Sequence, residues 1–200
     1  MVEPEGGSTP TVRGVKPSEV ARAVSLQVMA FSADPAIRAL WPEPSAYLRH
    51  FPDLVYGFGG GAFLHGTADV TDPFFGGTLW LPPGVLPDGP ALERLLMETV
   101  AEPRRSQFLA VLEQMEASHP SETHWHLAFI GVDPPHQRSG LGGILLSHTL
   151  ARVDEQHVHA YLESSNPANV PFYRNHGFQV IREICVGDFP PVIPMVRLPR

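Results

Sequence analysis

Residues 124–143 read H-W-H-L-A-F-I-G-V-D-P-P-H-Q-R-S-G-L-G-G, and the fold follows from this stretch. His124 to Val132 is a largely apolar run of strand length, stopped by Pro134-Pro135. Gln137 to Gly143 forms a glycine-bearing turn. Leu141 to Val153 then reads as a helix with Leu146, Leu150 and Val153 on one face. Val158 to Glu163 supplies the next strand. Strand, helix and strand so closely spaced form a βαβ unit, which predicts that the two strands lie parallel in one sheet. The start of a helix presents unpaired N–H groups and the positive end of its dipole, and Gly140 and Gly142 let a phosphate approach them. A P-loop would continue Gly-Lys-Ser/Thr, but Ile144 follows Gly143. A dinucleotide fingerprint would have a third glycine where Leu145 stands; because Glu163 ends the next strand, that motif stays as a distant alternative.

Upstream of this unit, residues 1–10 are polar and rich in Gly and Pro, the composition of a loosely held tail, and residues 11–200 are expected to form a single domain. Thr11 to Val15 fits an edge strand. Ser18 is placed to cap a helix bearing Val20, Val24, Val28 and Phe31, Asp34-Pro35 starts a short helix through Leu40, and Ser45 caps another reaching Tyr56. Gly57 to Gly66 and Phe74 to Leu81 read as two antiparallel strands. Two helical segments follow, the second carrying Phe108, Val111, Leu112 and Met115. Downstream of the unit, Asn169 to His176 reads as a short helix capped by Asn169, and Phe178 to Val186 and Val192 to Arg197 as the last strands.

Composition narrows the function. A formal charge of -7, with no Lys/Arg cluster, argues against nucleic acid as partner. No apolar run approaches the roughly 18–20 residues of a membrane span, and the N-terminus lacks a signal-peptide pattern, so a cytoplasmic protein without a membrane partner is expected. Cys185 is the only cysteine, which leaves no intrachain disulfide, and its apolar flanks predict a small core residue. His124/His126 and His157/His159 each share a strand face, yet no cysteine or carboxylate cluster joins them at a recognised spacing, so no metal is expected.

Gln137, Gly140 and Gly142 match Q/R-x-x-G-x-G/A, and Asn166-Pro-Ala-Asn-Val-Pro-Phe-Tyr173-Arg-Asn-His-Gly177-Phe178 matches N...FY...GF, in the same order. With these motifs the chain resembles the GNAT superfamily of acyl-CoA-dependent N-acyltransferases. It looks most like the puromycin N-acetyltransferase group, from Pro10-Thr11-Val12-Arg13 through Leu162-Glu163-Ser164. The resemblance implies an α/β fold of the α+β type: a mixed, mostly antiparallel sheet of about seven strands, flanked by helices and splayed between strands 4 and 5. It implies acetyl-CoA as acyl donor, a primary amine as acceptor, direct attack in a ternary complex and a possible homodimer. The cofactor-binding positions it implies are Ile130, Gly131, Val132, Gln137, Arg138, Ser139, Gly140, Leu141, Gly142, Gly143, Asn169 and Tyr173. Ile130 and Val132 would pair with the pantetheine arm, and the Arg138 to Gly143 amides would hold the pyrophosphate. Tyr173 would be the general acid.

The chemistry asks for a neutral amine, a donor for the developing oxyanion and a proton for the leaving thiolate. Val132 N–H is the candidate oxyanion donor. Glu163 shares strand parity with His159 and Tyr161 and is the catalytic candidate for the base, with His124, His126 or water as rivals. Trp41, Tyr47, Tyr56, Phe58, Phe74, Phe75 and Trp80 lie where the acceptor cleft would form; most are expected in the core, and two or three in the cleft would suit a partly apolar amine. A protein acetyltransferase and a non-catalytic acyl-CoA sensor are the alternatives.

Overall fold

The computed structural model describes residues 10–200, so the tail expected over 1–10 falls almost wholly outside the described residues. Among the described residues seven strands form one sheet in the order β1-β2-β3-β4-β5-β7-β6. They are β1 Thr11–Gly14, β2 Ala68–Asp72, β3 Gly76–Leu81, β4 His124–Val132, β5 His159–Ser164, β6 Gln179–Val180 and β7 Ile193–Arg197. All neighbours pair antiparallel except β4 and β5, the parallel pair of the βαβ unit.

That parallel pairing runs from His124↔His159 to Leu127↔Leu162 and stops there, while β4 continues to Val132. The sheet is therefore splayed on one side of Ala128 to Val132. Parity fixes which groups face the gap. Asp133 N–H donates to the Phe75 carbonyl at 2.8 Å, so the Gly131 backbone turns toward β3 and the N–H and C=O of Ile130 and Val132 turn toward the opening.

The helices are α1 Val20–Ala30, α2 Pro35–Leu40, α3 Pro44–Gly59, α4 Gly61–Leu64, α5 Gly89–Thr99, α6 Arg104–Glu116, α7 Leu141–Glu155 and α8 Val170–Asn175. The helices from the first half of the chain cover one sheet face around Phe51, Val55, Leu79, Leu81 and Phe129. On the other face, α7 and α8 pack on Trp80, Trp125, Ala160 and Leu162. Helix α7 buries Leu141, Leu145, Leu146, Thr149, Leu150 and Val153, one stripe at helical spacing. Each large apolar side chain buried this way contributes roughly 1.5–3 kcal/mol. Helix α1 packs close over Gly131: a Cβ there would lie 2.5 Å from Gln27 Oε1 and 2.6 Å from the Ala30 Cβ.

Several expectations need correction. Gly57 to Gly66 is the end of α3 followed by α4, and the strand antiparallel to β3 is Ala68–Asp72. Ser45 lies inside α3, whose N-cap is Glu43, and Ser18 lies in a 3-10 turn before α1. Asn169 makes no side-chain cap; Asn166 accepts from Ala168 N–H instead, because a 3-10 turn over Pro167–Asn169 precedes α8. The strand expected over Phe178 to Val186 shrinks to β6 and an isolated bridge at Ile184. Cys185 is exposed, since Ile184 takes the inward position and its neighbour points out.

Candidate active site

The gap in the sheet opens into a cleft of about 450 Å³ lined by Ile130, Gly131, Val132, Gln137, Arg138, Gly140, Gly142, Gly143, Asn169 and Tyr173. Ten of the twelve positions implied for the cofactor thus share one cleft. Ser139 and Leu141 stand apart from its lining: the Ser139 hydroxyl donates to the His136 carbonyl, and the Leu141 side chain is buried in the core.

The turn before α7 is held from outside. His136 stacks on Phe75 at 3.6 Å between ring centres, and Gln137 Nε2 donates to the Val132 carbonyl at 3.1 Å. Arg138 and Gly140 both take left-handed backbone, with φ of 61° and 90°. Gly140 is the N-cap of α7 and has no side chain to satisfy the first turn, so the leading N–H groups of α7 remain free at the cleft. A Cβ on Gly142 would stand 3.4 Å from the Phe172 ring.

A second cavity of about 100 Å³ adjoins the cleft, with Phe31, Ile130, Asn169 and Tyr173 lining both. Phe58, Phe108, Met115 and Phe129 give it apolar walls, and Glu163 lies on its edge. A third cavity, of about 370 Å³, continues from Phe58, Met115 and Glu163 between α5 and α6. Of the seven aromatic residues proposed for the acceptor side, only Phe58 lines these spaces. Trp41, Tyr47 and Trp80 are core, and the remaining rings of the cavity are Phe31, Phe108, Phe129 and Tyr173.

Tyr173 is 7% exposed. Burial, and then the nearby Asp34 charge, raise its pKa above the ordinary tyrosine value, so its phenol keeps its proton at neutral pH. Asp34 also lines the cleft; it caps α2 through Ile37 N–H and accepts from the Ser165 hydroxyl at 2.6 Å. Burial raises the Asp34 pKa against those bonds. Its Asp-Pro pattern signalled only a helix start.

The Glu163 side chain is 4% exposed. His126 Nε2 lies 2.8 Å from its Oε2 and His119 Nε2 lies 3.3 Å from its Oε1. Burial pushes its pKa up, but His126 and His119 more than reverse this and hold the carboxyl at about 2. His119 continues to His124, Nδ1 to Nε2 at 3.2 Å, and burial lowers the His124 pKa. The Tyr161 ring packs against all three histidines. Sequence reasoning missed His119, which sits in the segment joining α6 to β4 and has no strand parity to reveal it.

A parallel pair splayed beyond its last register, a free helix start facing the gap and a tyrosine at the junction of two cavities meet at one cleft. Residues 105–178 match the acetyltransferase (GNAT) family model. The fold is shared with the histone acetyltransferase HPA2 and related acetyltransferase from Corynebacterium glutamicum, at 23% identity over 96% of this chain and 98% of that one, with a TM-score of 0.69. It is also shared with arylalkylamine N-acetyltransferase 2 from Aedes aegypti (10% identity, 96% and 100% covered, TM-score 0.67). The polyamine N-acetyltransferase of Drosophila melanogaster has it as well (17% identity, 95% and 100% covered, TM-score 0.62). The family match covers residues 105–178, and the likeness to these solved structures is one of fold. Among the described residues no helix is long and apolar enough to cross a membrane.

Proposed function

We propose that this protein is an acetyl-CoA-dependent N-acetyltransferase acting on a small, partly apolar primary amine by direct attack in a ternary complex. One observation carries the reading: the cleft beside the free α7 start meets an aromatic cavity at Tyr173, and a buried carboxylate, Glu163, edges that cavity.

The residues fit the donor. The free N–H groups at the start of α7 suit a pyrophosphate, and the outward N–H and C=O of Ile130, with the Val132 C=O, suit an amide-bearing arm laid beside β4. When bound, acetyl-CoA supplies a thioester carbonyl open to an amine. Val132 N–H then faces the developing oxyanion, and Tyr173 donates its phenolic proton to the leaving sulfur. Glu163 attracts the ammonium form of the acceptor by charge. A carboxyl at about 2 does not keep the proton, so the neighbouring His119 imidazole takes it onward. The aromatic walls receive the rest of the acceptor.

A narrow cavity suits a small molecule better than a protein substrate, which calls for a shallow open groove. Its continuity with the cleft favours transfer over sensing. Fold neighbours named for arylalkylamine and polyamine acetylation agree with an amine acceptor. A mass-spectrometric screen with acetyl-CoA and a panel of primary amines tests the reading. Glu163→Gln is expected to lower turnover on the best amine by about 10²–10⁴ with acetyl-CoA affinity unchanged. Equal turnover removes Glu163 from the mechanism.

A further inference from the structure

His119, His126 and Glu163 come from the segment after α6, from β4 and from β5, and their ligand atoms lie within 4.8 Å of one another. The proton positions follow from the bonding. The Glu122 carbonyl can only accept, so His124 Nδ1, 2.8 Å away, carries a proton and donates it. Neutral His124 then offers a lone pair at Nε2, which accepts from His119 Nδ1–H. When the His119 ring is neutral, this leaves its Nε2 as a lone pair 3.3 Å from Glu163 Oε1, an oxygen that is buried without a hydrogen-bond partner among the described residues. Two lone pairs facing each other out of water are unfavourable, and a cation between them removes the conflict.

We propose that His119 Nε2, His126 Nε2 and the Glu163 carboxylate form a site for one divalent transition-metal ion of the zinc(II) type. Two imidazole nitrogens and one carboxylate oxygen are a donor set that such ions take, with a fourth position left open. Metal–ligand bonds of roughly 2.0–2.2 Å set tetrahedral ligand–ligand spacings of about 3.3–3.5 Å. His119 Nε2 stands at that spacing from one carboxylate oxygen, 3.3 Å from Oε1, and His126 Nε2 lies 2.8 Å from the other, Oε2, a contact that opens as His126 moves its proton to Nδ1. Outer support is in place as well, because His124 and the Glu122 carbonyl fix the tautomer that points the His119 lone pair inward. The open position faces the cavity edged by Phe58 and Met115, where the acceptor amine is proposed to bind. The loaded protein is accordingly expected to be inhibited, with metal competing against amine and not against acetyl-CoA. The inhibition rests on the acetyl-transfer reading; ion binding does not.

The test uses the full chain, stripped with chelator and titrated with Zn²⁺ by calorimetry and with Co²⁺ by visible absorption. One equivalent bound, with the intense visible bands of four-coordinate cobalt, is expected. His119 is partly exposed, so His119→Ala should keep the circular dichroism spectrum while weakening affinity by at least the 10–100-fold typical of a lost supporting contact. His148→Ala, an exposed control, should bind as the parent does. Absence of a stoichiometric site leaves a shared proton as the occupant and overturns the inference, and so does equal affinity in His119→Ala. Amine acetylation by a protein that binds no ion removes this inference alone. An ion bound by a protein that acetylates no amine removes the acetyl-transfer reading alone.

Discussion

Tyr173→Phe removes one oxygen from a ring that is 7% exposed. Burial and the Asp34 charge are the influences on that phenol, and no hydrogen bond to another described residue is among them. Losing the hydroxyl therefore strands no buried partner, and folding stability should change by no more than about 0.5 kcal/mol. Turnover should respond very differently. A positioned general acid is worth about 10²–10⁴ in rate, or roughly 2.7–5.4 kcal/mol of barrier, and the phenylalanine ring fills the same space without a proton to give. Thiol release at saturating acetyl-CoA and amine measures the loss, calorimetry measures acetyl-CoA affinity, and thermal melting measures stability. The expected pattern is a fall in kcat of at least a hundredfold with the other two quantities held. A kcat within about threefold of the parent refutes the assignment of Tyr173 as the acid, and a large drop in melting temperature makes the residue structural.

Three further outcomes follow from the geometry. Gly131→Ala drives a methyl group into Gln27 and Ala30, so α1 must shift; a loss of about 1–3 kcal/mol, or roughly 3–10 °C in Tm, is expected in calorimetric melting. Met115→Trp fills the junction between the acceptor cavities and should raise the amine KM at least tenfold while acetyl-CoA binding holds, as read by paired kinetics and calorimetry. Arg197, 3% exposed, holds Asp154 through two bonds of 2.6 and 2.8 Å, and this lowers the Asp154 pKa below its unfolded value near 3.9. The stability from that pair is complete above the unfolded pKa and is lost as pH falls through the folded one. Urea melts should thus show the parent losing more stability than Asp154→Asn below about pH 4.

The second half of the chain was legible because local signals agree there. The apolar run from His124, its Pro-Pro stop, the glycine turn and the leucine stripe of α7 all favour the same βαβ unit. The first half misled where a short apolar run carries no period. Ala62-Phe63-Leu64 between glycines reads equally as strand or helix, and Leu64 proves exposed at the end of α4. The true strand, Ala-Asp-Val-Thr-Asp, looks too polar for a buried position. Asp69 is nonetheless buried there, with its carboxylate accepting from the Thr149 hydroxyl at 3.1 Å, a partner far away in sequence. The site divides the same way. Most positions expected for the cofactor fall within residues 130–143, one stretch of sequence, whereas the cavities beside the cleft gather Phe31, Phe58, Phe108 and His119 from separate parts of the chain. Only packing brings those residues together.

Calorimetric titration of the full chain with acetyl-CoA tests most directly the proposal that the cleft beside α7 holds an acyl-CoA donor. One equivalent bound per chain is predicted, with Gly142→Val weakening it about 10- to 100-fold by displacing the phosphate from the α7 amides. No binding at millimolar acetyl-CoA, or binding untouched by Gly142→Val, contradicts it.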